Sequence, residues 1–173
     1  MIELSAPWIA IRSFFEAGGD VLWGIFAATV IMWSLIFERL WFFRTALPGQ
    51  VEAAHRQWVE RPERSAWASR KIRRQLISEV SIAAHHNIST IHVLMAILPL
   101  LGLLGTVTGM IQVFNVMATA GTSNARLMAG GVSAATLPTM AGLVASLSGL
   151  YLAVFLKRRA DLARQVVTDI LSD

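Results

Sequence analysis

The residues best suited to chemistry are hydroxyls and glycines set inside apolar sequence. Leu100-Leu-Gly-Leu-Leu-Gly-Thr-Val-Thr-Gly-Met110 carries glycines at 102, 105 and 109 beside Thr106 and Thr108. At about 100° per residue, Gly102, Gly105, Thr106 and Gly109 share one helix face, with Thr108, Gln112 and Asn115 on an adjoining strip. Further on, Thr139, Gly142, Ser146 and Gly149 fall within a narrow arc, with Thr136 beside it and Ser133 further round. Glycine faces allow close backbone approach between membrane helices, and small hydroxyls bond across them or back onto their own helix. Each Ser or Thr alone is equally consistent with ordinary packing. Polar stripes on two successive helices point instead to a shared, partly polar interior. Hydroxyls relay or hydrogen-bond a proton without holding one at neutral pH. Pro99 and Pro138 each cost an interior backbone hydrogen bond and kink their helix, and the carbonyl freed near Ala134 is placed to face a cavity.

Other chemistries lack their parts. His85 and His86 are adjacent and point to different faces, His92 follows a turn or two later, and no Cys or Asp stands beside them in sequence. They read as interfacial or solvated residues rather than metal ligands. No Ser–His–Asp grouping, phosphate loop or pair of carboxylates within an apolar segment is present, so an enzyme is not expected, nor a bound cofactor or metal. With no cysteine there is no disulfide or thiolate metal site.

The elements that must position these residues are membrane helices. The chain of 173 residues is 55% hydrophobic, with a mean hydropathy of +0.57; it is too apolar for a soluble domain and calls for contact with lipid. A bilayer span takes roughly 20 apolar residues, and three stretches qualify, 21–43, 93–117 and 132–156. Between Val93 and Leu156 the only charged residue is Arg126. The fold class expected is therefore all-α, with three transmembrane helices, the second and third extended into the cytoplasm.

Charge sets the orientation. Nine of the Arg and Lys residues fall in 38–92 and four in 157–173. Positive loops stay inside, so 44–92 and the tail 157–173 are expected to be cytoplasmic helical regions and 118–131 a periplasmic loop. This distribution also argues against nucleic acid as the partner of a chain with net charge +4. The acidic start is unlike a signal peptide. Residues 1–20 are expected to be periplasmic, with an amphipathic helix in which Trp8, Ile11, Phe14 and Phe15 can share a face along the membrane surface. Pro48-Gly49 is expected to end the first membrane helix. The segment 64–90 has no internal proline or glycine and is read as able to run unbroken into the second span. Leu162, Val166 and Ile170, four apart, form an apolar stripe for packing on a neighbouring helix.

Three motifs carry a resemblance that covers most of the chain. Glu38-Arg-Leu-Trp-Phe-Phe-Arg44, Pro99-Leu-Leu-Gly-Leu-Leu-Gly-Thr-Val-Thr-Gly-Met110 and Gly130-Gly-Val-Ser-Ala-Ala-Thr-Leu-Pro-Thr-Met-Ala-Gly-Leu143 resemble the MotA/TolQ/ExbB proton channel family. The likeness is nearer to the ExbB and TolQ branch than to MotA, whose members have four spans. By this resemblance Thr106 and Thr139 take the places of two pore threonines, and Thr136, Ser133 and Ser146 would line the same proton path. Gly102, Gly105, Gly109, Gly142 and Gly149 would pack helices. One position departs from the pattern: Ala134 stands where ExbB and TolQ proteins usually have a glutamate, five residues before the second threonine.

The resemblance implies a bacterial inner-membrane protein, amino terminus periplasmic and carboxyl terminus cytoplasmic, forming a homopentamer around a central pore. That pore would hold a dimer of single-span ExbD-like helices. Proton entry down the proton motive force would drive a molecular motor, passed through a TonB-like protein to outer-membrane uptake. The alternatives are a TolQ-like subunit of the Tol-Pal envelope system and a non-conducting membrane scaffold.

Overall fold

The computed structural model describes residues 5–60, 67–120 and 125–171, which form four helices: α1 (Ser5–Val59), α2 (Trp67–His85), α3 (Ile88–Ala120) and α4 (Ala125–Ile170). No strand occurs among the described residues, so the fold is all-α. Among the described residues, three stretches are long and apolar enough to cross a membrane, Gly18–Val59, Ser69–Thr119 and Gly130–Ile170. In each, only 22% of the most apolar window is buried within the chain. Such helices need lipid or further protein around them, because water against that much apolar surface is costly.

The chain divides into two compact units. The first comprises Met1–Met32 and Val93–Gly149. Here α1 is interrupted at Gly19, whose φ of 67° and ψ of −167° are non-helical; a side chain would be strained there, and glycine is not. Phe15 packs on Trp23 at 4.5 Å and on Phe26 at 5.6 Å between ring centroids, while Ile11 and Phe14 stay exposed. The Trp8 side chain lies outside the described residues. Leu22, Ile25 and Met32 of α1, Met95 and Leu98 of α3, and Ala135 and Pro138 of α4 are buried. At the far end, α3 runs on to Ala120 and α4 starts at Ala125, so helix covers most of segment 118–131; Gly121–Asn124 lies outside the described residues.

The second unit comprises Trp33–His92 and Leu150–Asp173. Its core joins Ala54 and Trp58 of α1, Leu76 and Val80 of α2, and Val167 with Leu171 at the end of α4. Three local expectations give way here. Pro48-Gly49 does not end the first helix, which continues to Val59. Proline costs one backbone bond, and Leu47, Val51, Ala54 and Trp58 recover that cost by packing on the cluster. The carboxyl stripe is also rotated. Ala160, Ala163, Val167 and Leu171 are buried, whereas Leu162 and Val166 are exposed.

The third correction is a break between α2 and α3. Asn87 adopts φ of 60°, a left-handed conformation that Asn tolerates better than most residues. Its carbonyl accepts the Ile91 N–H at 3.0 Å and so opens α3. The same turn takes the Asn87 N–H away from Ala83, and Arg39 compensates. Its Nη1 donates to the Ala83 carbonyl at 3.0 Å, capping the negative end of α2. Arg39 is only 4% exposed. Its Nε and Nη2 clasp the two Glu38 oxygens at 2.8 Å each, and Phe42 lies under the guanidinium at 4.7 Å. Asn87 Nδ2 completes the group by donating to Glu38 at 3.4 Å.

Candidate site on the second and third spans

The glycines of α3 face α4 at backbone contact within the first unit. A Cβ added at Gly102 would stand 2.8 Å from Thr139 Cα and 2.9 Å from the Pro138 carbonyl oxygen. One added at Gly109 would stand 2.7 Å from Ala135 Cβ, and one at Gly105 would overlap the Pro138 ring. From the other side, a Cβ at Gly142 would run into the Leu98 carbonyl of α3, and one at Gly149 would meet Met32 Sδ of α1 at 2.7 Å. Only absent side chains permit this separation, the small-residue packing of membrane helices.

Close approach brings hydroxyls of α4 within reach of α3 carbonyls. Thr139 Oγ1 donates to the Gly102 carbonyl at 2.8 Å, and Ser146 Oγ donates to the Met95 carbonyl at 2.8 Å. The second bond has a specific cause. Residue 99 is proline, so the Met95 carbonyl has no N–H donor one turn on. Ser146 supplies the missing donor. Donors and acceptors are each seven residues apart, so the two bonds recur with the helical repeat along the antiparallel pair.

Three threonines of these spans bond back to their own helices instead. Thr106 Oγ1 donates to the Leu103 carbonyl at 2.7 Å and Thr136 Oγ1 to the Ser133 carbonyl at 2.8 Å. Thr108 bonds back to the Leu104 and Gly105 carbonyls at 3.0 and 3.1 Å. Ser133 and Thr136 are exposed and Thr106 partly so, while Thr139 and Ser146 are half-buried against α3. Gln112 and Asn115 are exposed as well. Thr106 and Thr139 are therefore held differently: one lies open on its own helix, the other is a strut between helices. Pro138 is buried, and it deprives the Ala134 carbonyl of its usual helical donor.

The region offers hydrogen-bonding groups but no side chain that titrates near neutral pH, since it has no Asp, Glu, His or Lys. No cluster among the described residues has the makings of a metal site. Two groupings in the second unit escaped sequence reasoning. One is the Glu38–Arg39–Asn87 cluster, of which only the Glu38-Arg39 pair was visible. The other joins His85 to Asp161, 76 residues away, and no local signal announces it.

No curated protein matches the chain. Across residues 42–168 it matches the MotA/TolQ/ExbB proton channel family, and with its three apolar helical stretches it is a multi-pass membrane protein belonging to that family.

Proposed function

We propose that the chain is an ExbB-like subunit of a proton-motive-force-driven motor in a bacterial inner membrane, energising TonB-dependent uptake together with an ExbD-like partner. One observation carries this reading beyond family membership. The second and third spans leave Thr106, Thr136 and Ser133 open on a surface that has no titratable carboxylate. A proton crossing hydrocarbon needs a group that holds it or a wire of water. Hydroxyls relay, so the carboxylate must come from another chain, as an aspartate-bearing single-span helix would supply. The largely unburied apolar windows fit assembly of several copies around such a helix, most simply as a closed ring of five. The charge distribution favours a periplasmic amino terminus and a cytoplasmic tail.

The test is proton flux into liposomes under an imposed gradient. The chain alone should stay at background, and its complex with a single-span carboxylate-bearing partner should conduct. Specific flux through the lone chain would show that no borrowed carboxylate is needed. A second reading, the non-conducting scaffold, is favoured by Ala134 in place of the usual glutamate. It predicts background flux for the complex as well.

A further inference from the structure

Two adjacent histidines at the end of α2 stand in opposite surroundings. His85 places Nδ1 2.9 Å from the Ser81 carbonyl and Nε2 3.0 Å from Asp161 Oδ1. A carbonyl and an ionised carboxylate only accept. A neutral imidazole has a single N–H and would turn one ring lone pair toward an oxygen. The imidazolium donates at both ends. His86 is the reverse case. Its Nδ1 lies 3.3 Å from Arg39 Nη2, a group that only donates, so this nitrogen accepts and is bare.

The charges facing the pair come from two elements, α1 and α4. Arg39 and Glu38 approach His86 from α1, and Asp161 meets His85 from α4. On α4, Lys157, Arg158, Arg159 and Arg164 stand within four residues of Asp161 and oppose a further positive charge. All four are exposed, so water and salt screen them. Asp161 is in direct contact with the ring, and contact prevails over screened repulsion.

We propose that His85 and Asp161 form a proton-binding site that clasps α2 to α4. The ligand is a proton taken from water onto a ring nitrogen and returned to water. Side-chain exposures of 36% for His85 and 53% for Asp161 leave that route open. The sign follows from the donors. The clasp is fully made when the ring is cationic and donates at both ends, and it weakens when the ring gives its proton back to water. Taking up the proton thus tightens the α2–α4 contact. This inference does not rest on the channel reading.

Titration of the full chain in lipid nanodiscs with ¹⁵N-labelled histidine resolves each ring nitrogen. On acidification His85 should come to carry two N–H groups. Asp161→Asn should lower the proton affinity of His85 about two- to fivefold, the range of partly exposed ion pairs, and Asp161→Glu should restore most of it. The exposed His55 should be unchanged in both variants. A His85 that titrates identically in wild type and Asp161→Asn overturns the proposal, as does a single neutral tautomer persisting to about pH 5 in wild type. If Asp161→Asn fails to fold, the wild-type ring state and the Asp161→Glu titration decide the matter. No flux is measured, so failure here leaves the channel reading untouched.

Discussion

Replacing Gly102 with alanine tests the backbone contact between α3 and α4. The new Cβ would stand 2.8 Å from Thr139 Cα and 2.9 Å from the Pro138 carbonyl oxygen. Both are backbone atoms, so no rotamer change relieves the overlap. Carbon contacts settle at about 3.5–4.0 Å, and the helices must part by roughly 1 Å. The 2.8 Å bond from Thr139 to the Gly102 carbonyl would then stretch beyond hydrogen-bonding range. Overpacking costs about 1–3 kcal/mol, and an interhelical hydrogen bond in a membrane protein averages about 0.6 kcal/mol. Alanine recovers about 0.5–1 kcal/mol of helix preference over glycine. The net expectation is a loss of about 1–3 kcal/mol. Gly24 supplies the control, because a Cβ there meets nothing within 4 Å; Gly24→Ala should be neutral or stabilising. Reversible unfolding in mixed micelles of mild detergent and SDS, followed by circular dichroism, compares the two. Equal stability of Gly102→Ala and Gly24→Ala would refute the close-approach argument.

Ser146→Ala should cost about 1–2 kcal/mol by leaving the Met95 carbonyl without a donor. In a Pro99→Ala background residue 99 regains its N–H, so the same substitution should cost clearly less. A double-mutant cycle measures this coupling, and strict additivity would show that Ser146 does not serve the proline. Arg39→Lys keeps the charge but loses the fork that clasps Glu38 and reaches Ala83. Removing such buried pairing costs about 3 kcal/mol or more at the upper end, so a loss of at least about 1 kcal/mol is expected in the same unfolding assay. Arg12→Lys, at a pair exposed on both sides, should change stability by less than about 0.5 kcal/mol.

Much of the architecture is set by local composition. Apolar runs too long for a soluble helix, the near-absence of charge between Val93 and Leu156, and glycines recurring on one face are properties of neighbouring residues. They dictate membrane helices with thinned, packing faces whatever lies opposite. Punctuation was less legible. Pro48-Gly49 reads as a stop, yet the helix continues because Val51, Ala54 and Trp58 pack on residues far along the chain. Asn87 gives little warning of a break, yet α2 ends there with Arg39, 44 residues before the carbonyl it caps, closing the helix end. The hydroxyls show the division most directly. Thr106, Thr136, Thr139 and Ser146 are alike in sequence, each a small donor in an apolar helix. Every such donor has a carbonyl of its own helix within reach, and only tertiary contact decides whether it turns there or outward. Thr139 turns outward because Gly102 lets the helices touch, and Ser146 because Pro99 leaves a carbonyl unsatisfied. Periodicity is a short-range property and the sequence states it; the choice of a bonding partner depends on what the fold brings opposite, and that is known only once the helices have met.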